Sequence, residues 1–166
     1  TVVNALLALL EDNDSDVRWR AADALGELGN SSDTVVKALL ELLKDNDSFV
    51  RSRAAIALGK SGNSSDTVVK ALLELLKDSD SDVRSRAADA LGELGNSSDT
   101  VVKALLELLK DSDSDVRSRA ADALVELDKT SNHILPSVIE WIQQHQDSDY
   151  VGRGIDVLWD LVVGRE

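Results

Sequence analysis

TVVKALLELLKDSDSDVRSRAADALGELGNSSD, residues 67–99, is very nearly a sentence that this chain repeats from end to end. Thr67–Leu91 and Thr100–Leu124 agree residue for residue, and close variants open at Thr1 and Thr34, so the period is 33 residues. A fixed period of this size marks a stacked-repeat protein, in which no unit buries its apolar face alone. The units run 1–33, 34–66, 67–99, 100–132 and a divergent 133–166, together one domain.

Inside one unit the apolar period is helical. Asp66 reads as the cap of a helix that starts at Thr67, since its carboxylate accepts from the free N–H groups of a first turn. Val68, Val69, Leu72, Leu73, Leu75 and Leu76 then cover most of that helix, leaving Lys70, Glu74 and Lys77 as one polar ridge. The run Asp78–Asp82 ends it and caps a second helix, on which Val83, Ala87, Ala90, Leu91 and Leu94 share a face. Small Ala88 and Gly92 admit a close neighbour, and Gly95 stops the helix in a left-handed conformation.

Composition narrows the partners. Hydrophobic residues make up 43% of the 166, but with one Phe, one Tyr and three Trp the core is aliphatic. A formal net charge of −13 leaves no Lys/Arg excess for phosphates, so neither nucleic acid nor an anionic membrane is expected as partner. There is no Cys, no long apolar run and no leader-like start, which suits a cytoplasmic protein. Met is absent and Thr1 opens directly in a repeat, as in a piece of a longer protein or an engineered one. The first helix is also less polar than its copies, with Asn4 and Ala8 where Lys37 and Glu41 stand. Such an uncapped end predicts a monomer or a weak homodimer through the first repeat.

Val83-Arg84-x-x-Ala87-Ala88-x-Ala90-Leu91-Gly92, with its copies from Val17, Val50 and Val116, resembles the second helix of short HEAT-like repeats of the phycobilisome-lyase type. Pro136 sits where that family often carries a Pro in its first helix. The resemblance implies an all-α, right-handed α-solenoid (superhelix) of five helix pairs, with second helices lining the concave side. It also implies a structural ladder in which Arg18, Arg51, Arg84 and Arg117 bond to turn carboxylates, ending where Gly152 replaces the arginine. Similar arrays are appended to signalling NTPases and other regulators.

Departures from the repeat report local tasks. Trp19 stands in the register of Ser85 and Ser118, Phe49 in that of Asp82, Ile56 in that of Asp89 and Lys60 in that of Glu93. Phe49, Ile56 and Lys60 form one helical stripe at solvent-facing positions, with Trp19 one repeat away. Large apolar anchors with a polar rim, here Arg20, Asp23, Arg53, Arg86 and Asp89, are the pattern of a partner-binding face. Drift on a tolerant surface, or packing of Trp19 against a preceding repeat, are the competing readings. Trp141 and Trp159 are expected to cover the open end of the core.

Other chemistry is set aside. Asp78-x-Asp80-x-Asp82 begins like a calcium loop with Asp89 at the twelfth place, but Val83 occupies the position that needs Gly. His133 and His145 lack carboxylates at ligand spacing, so no metal or other cofactor is expected. Asn30-Ser-Ser32 matches a glycosylation acceptor but reads as a turn. The acidic pairs recur with the scaffold and single out no catalytic site. The expected function is a non-catalytic scaffold or sensor module that binds a protein or peptide with a basic and apolar surface. The alternatives are a bilin lyase-like subunit or an engineered repeat scaffold.

Overall fold

The computed structural model describes residues 1–163, so the last three residues of the divergent unit 133–166 lie outside it. Among the described residues there are ten helices and no strand, arranged as five consecutive helix pairs. These are α1 (Val2–Leu9), α2 (Ser15–Glu27), α3 (Asp33–Leu42), α4 (Ser48–Ser61) and α5 (Asp66–Leu75), followed by α6 (Ser81–Glu93), α7 (Asp99–Leu108), α8 (Ser114–Asp128), α9 (Ile134–Gln144) and α10 (Val151–Val163). None is long and apolar enough to cross a membrane.

Local chemistry sets the ends of the helices. Asp14, Asp47, Asp80 and Asp113 are N-caps whose carboxylates accept backbone N–H groups of the first turn. The first helices begin differently from the sequence expectation. Ser65, not Asp66, is the N-cap of α5, and Asp66 is its first helical residue. The reason is the turn before it: Asn63 Oδ1 accepts the Ser65 N–H at 3.1 Å and wraps the chain one residue early. Asp66 still places negative charge in the first turn, where the helix dipole favours it. Gly62 and Gly95, at φ 67° and 66°, make the left-handed exits after α4 and α6. Asp128 replaces that glycine in the fourth repeat, and α8 runs on to 15 residues.

One aliphatic core threads the stack, with Leu39, Leu72, Leu105, Val50, Val83 and Val116 all fully covered. The second helices α2, α4, α6 and α8 pack against one another along their length, whereas the first helices touch their neighbours only sparsely. The closer-spaced layer lies on the inner side of the bend, so the second helices form the concave face. Glycine sets that spacing: a Cβ on Gly26 would lie 2.9 Å from Ala57 Cα, and one on Gly92 3.0 Å from Ala123 Cα. Val125 stands at this register in α8, so the next seam cannot close to the same distance. Gly92→Ala is expected to destabilise the fold by about 1–3 kcal/mol through this overpacking, read as a lowered urea midpoint.

Of the two tryptophans expected to cover the end of the core, one does not. Trp141 is buried, stacked on His145 with ring centroids 4.3 Å apart, and packs against Gly154. Trp159 does not cover the core end and is 68% exposed. Gly154, Val157 and Leu161 take the inward face of α10, which turns Trp159 to the opposite side.

The four ladder arginines are not equivalent. Arg18, Arg51 and Arg84 each hold the next repeat's Asp45, Asp78 or Asp111 through Nε and Nη2 at 2.8–2.9 Å. Nη1 of each also donates to two carbonyls of its own turn. Among the described residues Arg117 keeps only the carbonyl bonds, to Asp111 and Ser112 at 2.9 Å, and pairs with no carboxylate. The ladder therefore ends one rung earlier than Gly152 implied. Gln146, five residues before Val151, stands where Asp111 stands before Val116 and offers no charge. Arg153 closes the end instead, donating to the Leu109 carbonyl at 2.8 Å.

Candidate interaction surface

The seam between α2 and α4 carries the residues that break the repeat. Trp19 and Phe49 meet edge to face, centroids 5.1 Å apart at 87°. Arg53 lies 4.9 Å from the Phe49 centroid and 5.5 Å from that of Trp19, whose other neighbour is Arg20 at 4.8 Å. These are cation–π distances. Arg53 also reaches Asp23 at 3.4 Å, and the Trp19 indole N–H donates to Asp16 at 3.2 Å.

Not all three apolar side chains are solvent-facing as the stripe suggested. Phe49 is 43% exposed, but Trp19 and Ile56 are half-buried. The register of Trp19 is a covered one: Ser52 and Ser85 occupy it in α4 and α6, buried, with their hydroxyls on the Phe49 and Asp82 carbonyls. The following second helix provides the cover, so Trp19 packs forward on Phe49.

Ile56 acts through what it lacks. Its register holds Asp23 and Asp89 in α2 and α6, which pair across the seam with Arg53 at 3.4 Å and Arg119 at 3.7 Å. With Ile56 there, Arg86 has no such partner on α4 and turns to Asp89 on its own helix, at 3.4 Å. The rim residues thus separate into two zones. Arg20, Asp23 and Arg53 surround the aromatic pair, whereas Arg86 and Asp89 belong to the α6–α8 seam. Lys60, three turns below Phe49, pairs with Glu27.

The second zone is acidic. Along α6 and α8 the carboxylates Asp82, Asp89, Glu93, Asp115, Asp122 and Glu126 outnumber Arg86 and Arg119. A groove of about 290 Å³ runs between Asp89, Glu93, Arg119, Asp122 and Glu126. Burial raises the Asp89 carboxyl pKa despite its two arginines, and burial together with Asp89 raises that of Glu93. Glu93, Arg119, Glu27 and Asp16 also take part, and they are not among the residues singled out from the sequence because each is the ordinary repeat residue at its register of the outward second-helix face.

The ladder aspartates behave in the opposite way. Burial acts to raise Asp45, Asp78 and Asp111, but the bonds from Arg18, Arg51 and Arg84 prevail and hold them below the ordinary carboxylate range. A depressed folded pKa gives stability that is present above the unfolded value, near 4, and lost as pH falls below it. A raised one, as at Asp89 and Glu93, gives stability that grows as pH falls towards that value. Urea midpoints are therefore expected to rise on acidification towards about pH 4 and then drop. Asp89→Asn with Glu93→Gln should flatten the rise and leave the drop.

Among the described residues no group of three or more His, Cys, Asp or Glu is placed to hold a metal. His133 and His145 flank α9, bonded to Ser131 and to the Trp141 carbonyl.

Comparison with known proteins agrees with this architecture. The chain is similar to an engineered protein of the Northeast Structural Genomics Consortium, with 26% identity over 95% of this chain and 79% of that one, TM-score 0.64. It is similar to a chain of the CpcE–CpcF complex of phycocyanin lyase from Nostoc sp. PCC7120, with 25% identity over 96% of this chain and 64% of that one, TM-score 0.72. A designed armadillo repeat protein in complex with the peptide (KR)4 shares the fold at 18% identity, covering 94% and 81% of the two chains, TM-score 0.63. No curated protein sequence matches significantly. The family model for HEAT repeats matches residues 3–91 and 69–158, and the chain belongs to that family.

Proposed function

We propose that this chain is a non-catalytic interaction module whose concave face takes an extended segment of a partner protein, within a larger regulatory or signalling assembly. The observation that carries the proposal is the Trp19–Phe49 pair, an aromatic anchor set by two arginines on a face that is otherwise charged. The anchor selects a large apolar side chain. The acidic zone along α6 and α8 selects Lys and Arg further along the same segment, and the net charge of −13 speeds their encounter. The two zones divide the work: apolar recognition in repeats one and two, basic recognition in repeats three and four.

Selection from a random peptide display library tests this reading. Enriched peptides are expected to combine a large apolar residue with several basic ones, and their binding to weaken as salt is raised. Enrichment of acidic sequences, or no enrichment at all, would count against it. The similarity to a chain of the CpcE–CpcF complex favours a second reading, a subunit of a bilin-handling lyase. That reading requires the absorption spectrum of a free bilin to change on mixing with the chain.

A further inference from the structure

The N-terminal side of the stack presents the residues that later repeats bury against their predecessors. Val2 is 69% exposed where Val35 is fully covered, and Leu9 is 41% exposed where Leu42 is 7%. Val17 and Ala24 are half-buried at the register of Val50 and Ala57, both buried. Leu28 protrudes at the register of the half-buried Leu94 and the buried Leu127. Beside this apolar face lies Asp12, in the register of Asp45, Asp78 and Asp111. Its Oδ1 accepts the Asp14 N–H at 2.9 Å, as those aspartates accept from their own turns. Each of the other three also receives two bonds from the preceding repeat's arginine, whereas no arginine among the described residues donates to the Asp12 carboxylate, Arg18 bonding only its carbonyl. The face continues three established repeat–repeat interfaces and repeats their charge pattern with the guanidinium missing.

We propose that this face docks one further helix pair of the same repeat type, seated in line ahead of α1 and donating an arginine to Asp12. A second copy of this chain does not meet those terms. Its own N-terminal face would set Asp12 against Asp12, and its last helix pair carries Gly152 where the arginine belongs. An unrelated apolar helix would cover Val2 and Leu9 but leave the carboxylate without its partner.

The test is to fuse a copy of residues 67–99 directly ahead of Thr1, which preserves the period, and to follow hydrogen exchange in α1. Its amides are expected to exchange at least about tenfold more slowly than in the unfused chain. Asp12→Asn keeps the acceptor for the Asp14 N–H and removes the charge. It should cancel much of the gain in the fusion while leaving the unfused chain unchanged. Replacing the added copy's ladder arginine with Met should do the same, and both changes together should cost no more than either alone. Unchanged exchange in the fusion, or fully additive effects of the two changes, would overturn the proposal. So would sedimentation of the unfused chain as a dimer that Val2→Glu dissociates, because the occupant would then be a second copy.

Discussion

Arg51→Met is expected to lower the unfolding free energy by about 3 kcal/mol, the lower end of the range for breaking a buried ion pair, because this one retains some contact with water. Arg51 donates from Nε and Nη2 to Asp78 at 2.8 and 2.9 Å, and from Nη1 to the Asp45 carbonyl at 2.8 Å. Methionine preserves much of the stem packing and removes every one of those donors. Asp78, whose side chain is only 11% exposed, is left as an uncompensated charge between two repeats. In a stack where each unit contacts only its neighbours, the damage falls on one seam. Urea unfolding should therefore lose cooperativity as well as midpoint. Arg117→Met is the internal control: it forfeits only bonds to its own turn and should cost about 1 kcal/mol. Equal losses from the two variants would mean that the inter-repeat carboxylate contributes nothing.

The second large effect is on binding. Phe49→Ala should weaken the best selected peptide by about thirtyfold or more, equivalent to about 2 kcal/mol, the threshold of an interface anchor. Trp19→Ala should do nearly as much, and the double variant less than the product of the two, since each ring rests on the other. Lys60→Ala on the same helix should change affinity by less than threefold, because its ammonium pairs with Glu27 at the far end of α4. Titration calorimetry on the folded variants gives all four values. Unchanged affinity in Phe49→Ala and Trp19→Ala would remove the aromatic pair from the binding face.

The repeat period, the helix pairs and the aliphatic core were legible because each rests on spacing along the chain, which the 33-residue copies display four times over. The bonding of Arg18, Arg51 and Arg84 to turn aspartates was legible only through the resemblance of their Val-Arg motif to HEAT-like repeats. The candidate face was legible only in part. Trp19 looked solvent-facing because Ser85 and Ser118 are small and polar, yet that register is covered wherever another second helix follows in close contact. Along the sequence the rim reads as one cluster because every member is on a second helix. Arg86 leaves the aromatic pair because Ile56 supplies no carboxylate, a consequence that appears only when α4 and α6 lie side by side.

By itself, then, the sequence determined the repeat unit, its two helices and their buried faces, since these follow from local periodicity and capping, while the family was read from the resemblance of the second-helix motif. Only the tertiary structure decided which partner each charged residue takes. It also decided that, among the described residues, Arg117 holds no carboxylate, Trp159 points outward and the Asp12 carboxylate takes no arginine. These depend on distances between residues about thirty positions apart, and helix packing, not neighbouring sequence, sets those distances.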